Sequence, residues 1–153
     1  MKRRVVVTGM GVVTPLGVGI ESTWTAVCAG ESAIKPIERF NPSGLPVRFA
    51  AESAVPPVQP EDCGDLKLRL AVTALREALT MSGPVPTGNR TGVCLGSEIG
   101  RPPLPEVAQR MAEGSTPSEA EIARMDPAAP TRLIAEITGA TGPASTVSTA
   151  CTS

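Results

Sequence analysis

The chain has 153 residues, enough for one domain burying on the order of 70% of the surface its unfolded form would expose. Its 41% hydrophobic content suits a soluble globular protein, while only 2% aromatic residues means a core of Ala, Val, Leu and Ile and favours layers of helix and parallel strand. Fourteen basic and 15 acidic residues give a net charge of −1, which with no basic tract and few aromatic rings leaves a nucleic-acid role without support.

Lys2 to Thr8 is charged and then solidly β-branched up to Gly9, the pattern of a short strand buried on both faces at the centre of a sheet. GMGVVTPLG follows as a loop. Glu21 or Ser22 can start a helix through STWTAVCAG, with Gly30 as its stop. Residues 31–60 hold many Pro and Gly positions and one strand-like piece, Val47 to Ala51, so they read as a surface excursion. From Glu61 to Met81 the pattern is helical. Leu68, Val72, Leu75 and Leu79 share one face, and Leu66, Leu70, Ala74 and Ala78 form a second stripe, so this helix is expected to be covered on more than one side.

Thr91 to Gly96 is a second short apolar run and reads as a buried strand. Residues 101–130 are rich in Pro, Glu and Ala, with short helical pieces predicted at 104–113 and 118–125, outside the sheet. Pro130 and Thr131 open a helix, TRLIAEITGA, which ends at Gly139 or Gly142. A strand from Ala144 to Ala150 completes a β-α-β-α-β order, which implies parallel pairing and right-handed crossovers.

No apolar stretch reaches the roughly 18 uninterrupted residues a membrane helix needs. The basic, apolar start MKRRVVVTGMGVV is broken by Gly9 and Gly11 and lacks a small-residue cleavage site, so a cytoplasmic protein is expected. The four cysteines, Cys28, Cys63, Cys94 and Cys151, contain no C-x-x-C pair, and there is no histidine. Neither a metal site nor a cofactor site is expected, and no His-dependent triad can be completed within the chain.

Cys28 and Cys94 read as small buried hydrophobes, and Cys63, in EDCGD, as a loop thiol. Cys151 differs. It follows the last predicted strand, at the carboxyl end where ligand chemistry gathers in parallel sheets, among the small residues of VSTACTS. A helix starting there would lower the thiol pKa and offer backbone N–H groups to a thioester oxyanion. A competing reading takes Gly9 and Gly11 as part of a dinucleotide fingerprint. G-x-G-x-x-G needs glycine at position 14, where this chain has Thr14 followed by Pro15.

RRVVVTGMGVVTPLG at 3–17, ESTWTAVCAGESAI at 21–34, LAVTALREAL at 70–79, TGVCLGS at 91–97 and GPASTVSTACTS at 142–153 together resemble the β-ketoacyl-acyl-carrier-protein synthases, the elongating condensing enzymes of the thiolase-like fold. The resemblance spans residues 1–153 and implies a partial N-terminal ketoacyl synthase domain: an incomplete first β-α-β-α-β half with a mostly parallel sheet. It also implies that Cys151 takes an acyl group from a thioester and condenses it with a malonyl thioester, as in fatty-acid or polyketide synthesis. An acyl carrier protein is the implied partner, and the complete enzyme is expected to be a homodimer. The histidines that assist decarboxylation in the family are not in this chain, so the chain alone is expected to be inactive unless a partner chain completes it. Where relatives present basic residues to the carrier, this sequence reads QPEDCGD, leaving Lys67 and Arg69 as candidates.

Overall fold

The computed structural model describes residues 4–57, 66–84, 87–97, 104–116, 118–119, 126 and 128–149. It divides into two compact units, Met1–Val85 and Pro86–Ser153.

In the first unit, strands β1 (Val13–Thr14) and β2 (Gly17–Val18) pair antiparallel and lead into helix α1 (Ile20–Cys28). Strands β3 (Ile34–Pro36) and β4 (Phe49–Ala51) form a second antiparallel ribbon, and helix α2 (Leu66–Ser82) follows. Helix α1 starts at Ile20, earlier than predicted, and has no side-chain cap of its own. Gly19 stands at its N-cap with φ 96°, a backbone conformation in which a Cβ would be strained. The cap comes from α2. Glu77 accepts the Ile20 N–H at 2.7 Å on one carboxylate oxygen and the Val12 N–H at 2.9 Å on the other. The carboxylate thus satisfies an orphan donor at a positive helix end and closes the 12–20 loop, which the Gly19 N–H to Val12 carbonyl bond also ties at 2.9 Å.

Gly9 and Gly11 press on the same helix. A Cβ on Gly11 would collide with the carbonyl oxygen of Ala74, and one on Gly9 with that of Ala78. Two residues of chain therefore span one helical turn, about 6 Å, which only a near-extended backbone can do. The two glycines of the incomplete fingerprint serve helix packing. Val72 of α2 is fully buried and most of the helix is half-buried, in keeping with the two predicted stripes.

The predicted central strand Lys2–Thr8 is a correction. Residues 4–8 are in no strand, and Val5, Val6 and Val7 are 94%, 67% and 80% exposed. β-Branched side chains favour a strand only where a neighbouring ladder accepts their N–H and C=O groups, and no described strand pairs with this segment.

In the second unit, strand β5 (Val93–Gly96), helix α3 (Leu104–Ala112), helix α4 (Ala129–Thr138) and strand β6 (Ala144–Val147) follow in order. Strands β5 and β6 are parallel, with Val93 opposite Ala144, Cys94 opposite Ser145, Leu95 opposite Thr146 and Gly96 opposite Val147. Helix α4 opens with proline in its first turn and closes at Gly139 in the left-handed conformation, φ 65°, as the sequence predicts. Of the three two-stranded sheets among the described residues, this one is parallel and two are antiparallel, so a mostly parallel sheet is not what they contain. The predicted helical piece at 118–125 lies largely outside the described residues.

Cys94 is exposed, against expectation. Strand β5 alternates half-buried Val93 and Leu95 with exposed Cys94 and Gly96. Helix α4 packs on β5 and β6, and the thiol lies on the opposite face. Cys28, on the last turn of α1, is also exposed. Only Ala26 of that helix is buried, because α1 is covered along one narrow stripe.

Removing the Glu77 carboxylate leaves the Ile20 and Val12 N–H groups without their protein acceptor. Glu77→Ala is expected to destabilise the first unit by about 2 kcal/mol, and Glu77→Gln, which keeps one acceptor oxygen, by about half that. Urea unfolding followed by circular dichroism checks the order wild type, Gln, Ala.

Candidate functional site

The site is built on the parallel pair. Because β5 and β6 run in the same direction, both leave the sheet at one end, where the Ser97 N–H still bonds the Val147 carbonyl at 3.0 Å. Ser148 and Thr149 follow β6, both exposed, and lead to Cys151, which lies outside the described residues, as do Cys63 and Thr152. What the structure describes is the support for that approach.

The support is tight at both ends of β6. At its start, Gly142 donates to the Thr91 carbonyl at 3.0 Å, and a Cβ on Gly142 would clash with the carbonyl oxygens of Thr91 and Asn89. Nearer its end, Thr146 hydrogen-bonds Thr131, hydroxyl to hydroxyl, at 2.5 Å. Thr131 lies in the first turn of α4 and is 3% exposed, the buried polar residue among those described. Its hydroxyl anchors the N-terminal end of α4 over β6, five residues before Cys151. The sequence places Thr131 on a helix start but carries no signal of this pairing, which depends on a strand 15 residues away.

Ahead of α4, Asp126 accepts the Ala128 N–H at 2.8 Å and the Arg132 guanidinium at 2.7 Å. The backbone bond first, and then Arg132, hold its carboxyl below the ordinary value of 3.8. Of the carrier-docking candidates, Arg69 is drawn inward, its guanidinium donating to the Pro56 carbonyl, while Lys67 is exposed. Among the described residues no group of three His, Cys, Asp or Glu side chains could hold a metal, and no helix is long and apolar enough to cross a membrane.

The described residues thus end, at Thr149, on the carboxyl side of a helix-covered parallel pair, the side where ligand sites gather in parallel sheets. The model of the beta-ketoacyl synthase N-terminal domain matches residues 2–153, and the chain belongs to that family. It is 33% identical to the ketoacyl synthase alpha subunit of the tetracenomycin polyketide synthase of Streptomyces glaucescens, over 99% of this chain and 40% of that protein. It is 41% identical to 3-oxoacyl-[acyl-carrier-protein] synthase 2 of Coxiella burnetii, over 67% of this chain and 27% of that protein. Among solved structures, the ishigamide ketosynthase/chain length factor superposes with a TM-score of 0.77 at 27% identity, covering 97% of this chain and 40% of that one. The chain spans about two-fifths or less of these relatives' lengths.

Two outcomes follow. Thr131→Val is expected to cost about 1–2 kcal/mol by orphaning the Thr146 hydroxyl, and Thr131→Val with Thr146→Val to recover part of it; a double-mutant unfolding cycle reads the coupling. The Asp126 carboxyl has a folded-state pKa below its unfolded value. Its contribution is therefore present above about pH 4 and lost as pH falls through the depressed value. Asp126→Asn is expected to lessen the acid loss of stability in that window, measured by unfolding between about pH 2 and pH 5.

Proposed function

We propose that residues 1–153 are the partial N-terminal domain of a 3-oxoacyl-acyl-carrier-protein synthase of thiolase-like fold. In this reading the chain is an incomplete first half whose parent sheet is mostly parallel, and Cys151 is the acyl-accepting nucleophile. The family match running through VSTACTS carries the proposal.

The chemistry is a two-stage exchange. The Cys151 thiolate attacks the carbonyl of an acyl thioester; the new carbon–sulfur bond forms, the donor's carbon–sulfur bond breaks, and the donor thiol leaves with a proton. A malonyl thioester then loses carbon dioxide, and its carbanion attacks the acyl carbon, releasing the Cys151 thiolate and a 3-oxoacyl thioester. Acyl carrier protein presents the substrates. A type II ketosynthase solved in complex with its acyl-carrier protein shares this fold over 97% of the chain, with a TM-score of 0.74 at 22% identity. The complete enzyme is a cytoplasmic homodimer in this reading.

This chain supplies the nucleophile and no histidine, so it has no imidazole to polarise a thioester or assist decarboxylation. One observation favours a second reading, a subunit completed by another chain. Over 48 residues the sequence is 54% identical to the ketoacyl synthase beta subunit of the same tetracenomycin synthase.

The test incubates the purified chain with acyl and malonyl thioesters, alone and with a polypeptide supplying the remainder of a ketosynthase. The chain alone is expected to give no 3-oxoacyl product. An acyl adduct on Cys151 that appears only in the mixture supports the completed-subunit reading. Product from the chain alone, or an adduct that survives Cys151→Ala, overturns the assignment.

A further inference from the structure

Strand β6 has one covered side chain. Ala144, Ser145 and Val147 are exposed, and Thr146 alone is half-buried. Its hydroxyl lies 2.5 Å from that of Thr131, which is 3% exposed in the first turn of α4. The register sets Thr146 opposite Leu95 of β5, which is half-buried on the face that α4 covers. These contacts are made within the chain, so further layers packed around it leave them buried.

Two hydroxyls are a costly way to fill that space. Valine has nearly the shape of threonine, and two valines would pack there without removing two polar groups from water. What valines would lack is direction. Apolar contacts let one surface slide over another, whereas a hydroxyl-to-hydroxyl bond restrains both length and angle. The place of the bond matters as much. Val147, the next residue, stands opposite Gly96 in the ladder, and its carbonyl accepts the Ser97 N–H at 3.0 Å. The ladder thus holds the end of β6 within the sheet, and Thr131 holds it against the helix layer. Cys151 follows Thr146 by five residues, at most about 18 Å of extended chain.

We infer that Thr131 is a positioning residue for acyl transfer. Acting through Thr146, it fixes the exit of β6 and with it the approach from which the Cys151 sulfur meets a thioester. The inference rests on the reading of Cys151 as the acyl acceptor. No bond to Thr131 forms or breaks in the reaction, so its effect is on geometry alone. A misplacement of about 1 Å can slow a reaction about a hundredfold, and releasing β6 from α4 by a fraction of that is expected to slow acylation about tenfold.

The test combines the 153-residue chain with the polypeptide supplying the remainder of a ketosynthase. Octanoyl-N-acetylcysteamine thioester is the acyl donor, and mass spectrometry follows the single-turnover adduct on Cys151. Thr131→Val is expected to lower the maximal rate about tenfold while the half-saturating thioester concentration stays within about twofold. Thr131→Ser keeps the hydroxyl and is expected to stay within about threefold of wild type. Thr131→Val with Thr146→Val separates position from stability: unfolding recovers part of the loss, and acylation stays as slow as in Thr131→Val. If Thr131→Val loses its helical dichroism, Thr146→Val takes its place with the same expectation. Acylation that recovers with stability in the double variant overturns the inference. So does Thr131→Val acylated as fast as wild type, or Thr131→Ser as slow as Thr131→Val. A wild-type mixture that forms no adduct on Cys151 overturns the acyl-acceptor reading and this inference together, whereas the other outcomes overturn the inference alone.

Discussion

One carboxylate organises the first unit. Glu77 sits in the middle of α2 yet receives two backbone N–H groups from residues 57 and 65 positions earlier. These bonds replace the side-chain cap that α1 lacks and fix the loop between Val12 and Ile20. The neighbouring turns depend on the same anchoring. Thr14 reaches Thr23 at 3.1 Å and the Gly17 carbonyl at 3.3 Å, so the short β1–β2 hairpin and the start of α1 share hydroxyl contacts as well as backbone. The close seating of Gly9 and Gly11 on Ala78 and Ala74 brings the chain alongside the helix that carries Glu77. Charge-assisted bonds to backbone donors are among the stronger polar interactions a protein makes, and here they join segments 57 and 65 positions apart in the chain.

The second unit depends on a different constraint, one-sided cover. Helix α4 lies on β5 and β6, and the opposed pairs Val93–Ala144 and Leu95–Thr146 alternate with Cys94–Ser145 and Gly96–Val147. A sheet buried on one face sorts its residues by parity, and Cys94 falls on the bare side. The buried hydroxyl of Thr131 is tolerated because Thr146 meets it. The same parity rule puts Ile34, Phe49 and Ala51 of the ribbon in the first unit on one face, where all three are exposed.

Much of the secondary structure was legible in the sequence. The end of α1 near Gly30, the long two-striped α2, the proline start and glycine stop of α4, and strands at 93–96 and 144–147 follow from periodicity and from residues with narrow conformational preferences. Family membership was legible too, because the motifs along the chain recur in one family. Strand burial was not. Val5 to Val7 and Cys94 are apolar enough for a core, yet whether an apolar residue is covered depends on the layers placed against it, which periodicity does not report. Gly9 and Gly11 show a related ambiguity: the residue pattern alone fits either a ligand loop or close packing on a helix.

By itself the sequence determined most of the elements, the small-side-chain composition, the lack of histidine among these 153 residues, and the kinship that directs attention to Cys151. These follow from local preference and residue identity, which travel with the chain. Only the tertiary structure decided that Glu77 caps a helix 57 residues away, that Thr131 and Thr146 share a hydrogen bond, and which face of each strand pair is bare. Such contacts arise from chain reversals and sheet register, and a shift of one residue in register would exchange the two faces.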